Sequence, residues 1–278
     1  MENLYSTSKF LSNTDKIDDA EIVVFGVPFD STVDYLTGTR FGPNVIREAS
    51  NFIEPFDIDL QKNLLEEKKI VDIGDISPVR GNPERTVDRV AGVIKEILSK
   101  KKFPVMLGGE HAISLGAVKA LPRDCVIICL DAHYDLKEVW EGSEITHNTW
   151  LRRACEIIGP ENVCLVGVRT GDEFEYDYAK KNKILVNPNM DELIKFVKNK
   201  KVYLTIDMDA FDPSIAPGIG TPEPGGLLYR ETIVLIKEIL DNSKLVGLDV
   251  VETRPLNDNK NTEILTSKLI QKVLLTYK

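Results

Sequence analysis

Short, continuously apolar runs rich in β-branched residues recur along this chain, separated by segments of helical period, and no other feature constrains its fold as much. The runs are Ile22 to Val27, Ile70 to Ile73, Val105 to Leu107, Val126 to Leu130, Val163 to Val168, Ile184 to Val186, Val202 to Ile206 and Leu245 to Val251. Because they do not alternate apolar with polar, each needs cover on both faces, as in a parallel sheet with helices packed above and below. Between them, Val87, Val90, Ala91, Ile94, Ile97 and Leu98 fall at steps of three and four, and Ile233, Ile236 and Leu240 repeat the spacing. That period predicts amphipathic helices, and a further one closes the chain from about Glu263. The Gly/Pro-rich stretch from Asp212 to Gly226 lies inside the alternation, and no repeat or linker divides it. The expectation is an α/β fold with three αβα layers, a mainly parallel sheet of about eight strands, and one doubly wound domain over residues 1–278.

Charge and run length exclude several classes of function. The 35 Lys and Arg residues against 44 Asp and Glu leave a net charge of −9, a field that repels phosphate backbones and anionic headgroups, so neither nucleic acid nor a membrane surface is an expected partner. Runs such as Cys125 to Leu130 fall far short of the roughly 20 residues that span a bilayer. The N-terminus opens on polar Glu2, Asn3 and Ser6, with no sign of export, and a cytoplasmic location is expected. Cys125, Cys129, Cys155 and Cys164 show no Cys-x-x-Cys spacing and read as reduced thiols serving as small hydrophobes.

Four of the runs end in polar motifs, in the place where such a sheet gathers its functional loops. Val105 to Leu107 leads into Gly108-Gly109-Glu110-His111, and the next run into Asp131-Ala132-His133-Tyr134-Asp135. A later one leads into Asp207-Met208-Asp209-Ala210-Phe211-Asp212-Pro213, and the last ends Asp249-Val250-Val251-Glu252. Residues two apart in extended chain point the same way, so Asp131, His133 and Asp135 can converge, as can Asp207 and Asp209. Carboxylates massed in this way repel one another and take up protons unless cations sit among them. Two divalent ions sharing bridging carboxylates, each completed by an imidazole, resolve the conflict, and a ligand set without thiolate favours a fairly hard ion such as Mn2+. Either acidic motif alone would ordinarily be a cap or turn. The joint reading is stronger because the three histidines, His111, His133 and His147, all fall within 37 consecutive positions beside these motifs. His147, in Thr146-His147-Asn148, could by itself be a loop histidine.

At these residues the sequence resembles the ureohydrolase family of arginases and agmatinases, binuclear manganese enzymes that hydrolyse a guanidino group to urea and an amine. The likeness spans nearly the whole chain through the motifs at Gly108 to His111, Asp131 to Asp135, and Asp207 to Pro213 with Ala216-Pro217-Gly218. It implies that His111, Asp131, Asp135 and Asp207 hold one metal and Asp131, His133, Asp207 and Asp209 the other. It also implies that Glu252 receives the substrate guanidinium and that the protein assembles as a trimer or hexamer. Gly26-Val27-Pro28-Phe29-Asp30 and Gly38-Thr39-Arg40-Phe41-Gly42-Pro43 are closer to the agmatinase branch.

Guanidinium is a poor electrophile, so water must be activated, which two metals do by lowering its pKa. Asp135 is expected to hold one metal and accept a hydrogen bond from the attacking water. His147, whose imidazole ordinarily titrates at about 6.5, is expected to protonate the leaving amine. Three departures bear on this. Asn148 stands where the family usually has glycine, Arg254 follows close on Glu252, and the loop from Leu136 to Thr146 carries Glu138, Glu141 and Glu144 with no evident binder for a carboxylate.

Agmatine, giving putrescine and urea, is the expected substrate among small cationic guanidino compounds, with arginine, a guanidino acid and free guanidine as the alternatives. The acidic loop and Asp172, with Glu138 foremost, favour a distal ammonium, unless these residues form only a solvated face. Arg254 would instead favour a guanidino acid such as 4-guanidinobutyrate. A zinc deacetylase on a related fold would need one metal, against which Asp135 and Asp209 argue. A binding protein that lost turnover would have little use for an intact ligand set.

Overall fold

The computed structural model describes residues 4, 5 and 8–277, so Glu2, Asn3 and Ser6 lie outside the described residues. The strands are β1 (Leu4–Tyr5), β2 (Ile22–Gly26), the hairpin β3 (Phe56–Asp57) and β4 (Lys62–Asn63), β5 (Ile70–Ile76), β6 (Phe103–Leu107), β7 (Cys125–Leu130), β8 (Val163–Val166), β9 (Leu185–Val186), β10 (Lys201–Asp207) and β11 (Lys244–Val251). The helices are α1 (Gly42–Ser50), α2 (Leu64–Glu67), α3 (Pro83–Ser99), α4 (Ser114–Ala120), α5 (Trp150–Ile158), α6 (Glu173–Lys181), α7 (Met190–Val197), α8 (Tyr229–Asn242) and α9 (Asn261–Thr276).

Among the described residues, nine strands pair in the order β1-β5-β2-β6-β11-β10-β7-β8-β9. Eight of them, at the eight apolar runs, are parallel. The ninth, β1, pairs antiparallel with β5 at the edge, and its two residues are too few to show a period. All six residues of β7 are buried, and they divide between two cores. Val126, Ile128 and Leu130 face the side covered by Ile46 of α1, Leu193 of α7, Ile236 of α8 and Ile270 of α9. Cys125, Ile127 and Cys129 face the side covered by Val90 of α3, Leu115 of α4 and Leu151 of α5. An apolar run therefore sits where both faces are needed, and the three layers follow. In α3, Asn82 caps the N-terminus by accepting from the Arg85 N–H at 2.9 Å, and Val87, Val90, Ala91, Ile94 and Ile97 are buried as their spacing requires.

The strand order is what builds a site. After β6 the chain crosses to β7 and continues outward to β9, and then β10 and β11 return into the gap between β7 and β6. The four strands that end in the polar motifs are thereby consecutive neighbours, β6-β11-β10-β7, with their carboxyl ends at one edge. Open α/β sheets place their ligands at such a topological switch.

Candidate metal centre and its cleft

The backbone aims the acidic side chains by bonding them locally. Asp131 Oδ1 accepts from the His133 N–H at 2.7 Å, Asp207 Oδ1 from the Asp209 N–H at 2.8 Å, and Asp209 Oδ1 from the Ala132 N–H at 3.0 Å, which ties the end of β10 to that of β7. Two residues here take left-handed backbone conformations, Asp135 at φ 52° and Glu252 at φ 62°. Each costs of order 1–3 kcal/mol unless its surroundings hold it. Asp135 Oδ2 accepts from the buried Trp150 Nε1–H at 2.8 Å. Glu252 donates its N–H to the Gly109 carbonyl at 2.8 Å and accepts from the His111 N–H at 2.8 Å through Oε1. Gly109 has to be glycine because a Cβ there would collide with the Phe29 carbonyl.

The side chains expected as metal ligands come together. His111 Nδ1 lies 3.1 Å from Asp131 Oδ2, 3.1 Å from Asp207 Oδ2 and 3.4 Å from Asp135 Oδ2. It is fully buried yet makes no hydrogen bond with any of them, being aimed into the space between. His133 Nδ1 lies 2.9 Å from Asp209 Oδ2 and 3.6 Å from Asp131 Oδ1, so Asp131 faces both imidazoles. Buried donors arranged around a common gap, with one orphaned imidazole nitrogen, fit a cation.

Cys129 also approaches, with its Sγ 3.7 Å from Asp131 Oδ2. Burial pushes that thiol well above its usual range, so it stays protonated beside the carboxylates. The charges of the cluster act strongly on one another. Burial and the nearby Asp209 and Asp131 charges raise Asp207 well above the carboxylate range. His133 is pushed up to about 12, its burial outweighed by Asp209 and Asp131, and His111 is raised in the same way against its own burial. Protons hold the charges apart where a divalent ion could replace them.

Behind His111 stands a relay of hydroxyls. Its Nε2 lies 2.9 Å from Thr205 Oγ1, which donates to Asp249 Oδ1 at 2.5 Å, while Ser114 Oγ (2.7 Å) and the Tyr203 hydroxyl both donate to Asp249 Oδ2. With its proton committed to Asp249, Thr205 can only accept from His111, which keeps the imidazole proton on Nε2 and leaves Nδ1 a lone pair for a ligand. Thr205→Val should weaken metal binding by about 10- to 100-fold, and Thr205→Ser should largely retain it. Equilibrium dialysis against Mn2+ checks this, and wild-type affinity in the valine variant would remove the relay from the site.

The cleft above the cluster has a volume of about 270 Å3, and His111, His133, Asp135, Asp207, Asp209, Glu252, His147 and Asp172 all line it. His147 Nε2 lies 3.6 Å from Asp34 Oδ1, and the His147 backbone N–H donates at 3.0 Å to Thr32 Oγ1, whose hydroxyl donates at 2.6 Å to buried Glu110. Burial pushes Glu110 up to about 7. Asn148 turns its Oδ1 onto the Thr146 hydroxyl at 2.8 Å and so braces the loop that carries His147.

Asp172 lines the cleft as expected but its charge is engaged, and the loop glutamates and Arg254 lie elsewhere. Asp172 is ion-paired with Lys137, which also lies 3.2 Å from Glu175. Glu138 and Glu141 line two other surface depressions, and Glu144 faces Arg153 at 3.7 Å, so none of the three glutamates lines the cleft. Arg254 donates from Nε to the Thr37 carbonyl at 2.8 Å and packs over Gly38, away from the cleft. Asp34 and Lys137 line the cleft unannounced by any motif, and only the charge of each was visible beforehand.

A parallel α/β sheet that brings buried carboxylates and imidazoles together at the ends of four adjacent strands is the framework of a metal-dependent hydrolase. This chain belongs to the arginase family, whose family model matches residues 20–276. It is 38% identical to an agmatinase of Bacillus anthracis over 99% of this chain and 98% of that one. It is 34% identical to an N(1)-aminopropylagmatine ureohydrolase of Thermococcus kodakarensis over 96% and 94%. The solved agmatine ureohydrolase of Thermoplasma volcanium superposes with a TM-score of 0.90 at 34% identity, covering 98% of this chain and 94% of the other.

Proposed function

We propose that this protein hydrolyses agmatine to putrescine and urea with two Mn2+ ions per chain. The observation that carries the reading is a cluster of acidic and imidazole donors under a cleft in which no described residue offers a free cation to a substrate carboxylate. Lys137 is engaged by Asp172 and Glu175, Arg254 is turned away, and no arginine is among the cleft residues. The agmatinase and aminopropylagmatine ureohydrolase relatives support a substrate with a cationic tail.

His111, Asp131, Asp135 and Asp207 would hold one ion, and Asp131, His133, Asp207 and Asp209 the second. When bound, the ions supply Lewis acidity and bring the pKa of water toward neutrality. Glu252 orients the guanidinium by charge-assisted hydrogen bonds and so fixes the angle of attack on its carbon. Trp150 restrains Asp135 through Oδ2, leaving the other oxygen to accept a hydrogen from the attacking water. His147 lines the cleft above the cluster and gives its proton to the leaving amine.

The protein is read as a single cytoplasmic domain that assembles as a homo-oligomer, a trimer or hexamer. The highly exposed apolar side chains Phe52, Phe56 and Ile58 support self-association, and no helix among the described residues is long and apolar enough to cross a membrane.

On Mn2+-loaded protein, kcat/KM for agmatine should exceed that for arginine by about 100-fold or more, since a carboxylate brought among carboxylates without a partner costs several kcal/mol. Urea release from agmatine, arginine, 4-guanidinobutyrate and guanidine measures this. A clear win for any of the last three overturns the agmatine assignment, as does the absence of urea from agmatine.

A further inference from the structure

The carboxylates lining the cleft fall into three groups according to their partners. Asp135, Asp207, Asp209 and Glu252 belong to the candidate metal centre and its guanidinium acceptor. Asp172 and Glu175 share Lys137, and Glu175 Oε1 also accepts from the Leu136 N–H at 2.9 Å. Asp34 stands alone. Its side chain is 31% exposed, its one potential ion-pair partner among the described residues is the His147 imidazole at 3.6 Å, and no hydrogen bond from a described residue reaches its carboxylate. It lies on the loop after β2, at the carboxyl end of the sheet, and is separate from the segment carrying Lys137.

We infer that Asp34 receives the cationic amine at the far end of the substrate, and so makes the enzyme select guanidines with an amine tail over those ending in an alkyl group or a carboxylate. The inference rests on the guanidino hydrolysis proposed above and adds a residue for the non-reacting end. An ammonium brings three donors to an anion whose oxygens are otherwise met only by solvent and one imidazole, and the partly enclosed site strengthens the attraction above its value in water. The other cleft acids outside the cluster, Asp172 and Glu175, already share a lysine. A carboxylate tail would meet Asp34 as a like charge, and an alkyl tail would strip water from it without replacing the lost hydrogen bonds. Asp34 therefore gives the cleft both an attractive element and a repulsive one.

Agmatine and n-butylguanidine share a reacting group and a carbon chain and differ only at the amine, so they isolate this contact. In Asp34→Asn, the kcat/KM for agmatine should fall by at least about tenfold more than that for butylguanidine, with the change in KM and the pH profile of kcat preserved. Asp34→Glu should recover part of the preference. Equal losses on both compounds, or a shifted pH profile of kcat, would show that Asp34 acts through His147 instead, and wild-type kcat/KM on both would remove it from the substrate's reach. Calorimetric binding of the same two compounds reads the preference without turnover. A protein that bound agmatine the more tightly only with Asp34 intact, yet released no urea, would refute the reaction while keeping the subsite.

Discussion

Asp131→Ala is expected to leave the protein without either metal ion and to lower urea release by about a thousandfold or more, since metal Lewis acidity is worth several kcal/mol and each 1.36 kcal/mol is a factor of ten. Asp131 is the carboxylate that faces both imidazoles, with Oδ2 toward His111 at 3.1 Å and Oδ1 toward His133 at 3.6 Å. In the proposed arrangement Asp131 would serve both ions, so its loss should empty both. His111→Ala removes a donor from one shell and should mainly weaken that ion. Because Asp207, His111 and His133 all bind protons more tightly than usual, metal must compete with protons, and affinity should fall as the pH is lowered. Elemental analysis of dialysed protein reads the outcome, with circular dichroism confirming that the variant is folded. Active wild-type protein with one ion or none would end the two-metal reading.

Glu252→Gln should lower kcat by about 100- to 1,000-fold on the strength of a lost charge-assisted pair, with metal content unchanged. Burial and the nearby Glu110 charge push Glu252 well above the carboxylate range, and its Oε1 already accepts from the His111 N–H. An arriving guanidinium supplies the positive charge that makes the ionised form favourable and leaves Oε2 free to accept. Glutamine is nearly isosteric and can still accept from His111 through its amide oxygen, so the left-handed backbone at Glu252 keeps its local support. What is lost is the negative charge opposite the guanidinium. A kinetic assay paired with metal analysis separates this from ligand loss, and wild-type turnover in the glutamine variant would take Glu252 out of the reaction.

Much of the frame was legible because it depends on local chemistry. An apolar run with no polar alternation can be stable only with cover on both faces, and all eight such runs are parallel strands. Val87 to Leu98 and Ile233 to Leu240 carry the helical period, and both stretches are helices. The chemically rich motifs were equally visible, since alternate residues of an extended segment point one way whatever surrounds them. Less visible was Arg47, which holds Asp72 with Nε at 2.7 Å and also pairs with Asp75, a buried bridge from α1 to β5 that nothing in either segment announces. Asp34 and Glu138 mark the same boundary, because the two acids look alike in a loop and only one of them lines the cleft.

By itself the sequence determined the layered α/β class, the strand ends that carry the acids and imidazoles, and the family those motifs resemble, because each follows from side-chain pattern over a few residues. Only the tertiary structure decided that β10 and β11 return between β6 and β7, which makes neighbours of His111, Asp131, Asp207 and Glu252. It also decided which charges are spent on one another, as with Lys137 on Asp172 and Glu175, and which are left for a substrate. Coulomb interaction and hydrogen bonding act over a few ångströms in space whatever the separation along the chain, so pairing between distant segments is settled only when the chain has folded.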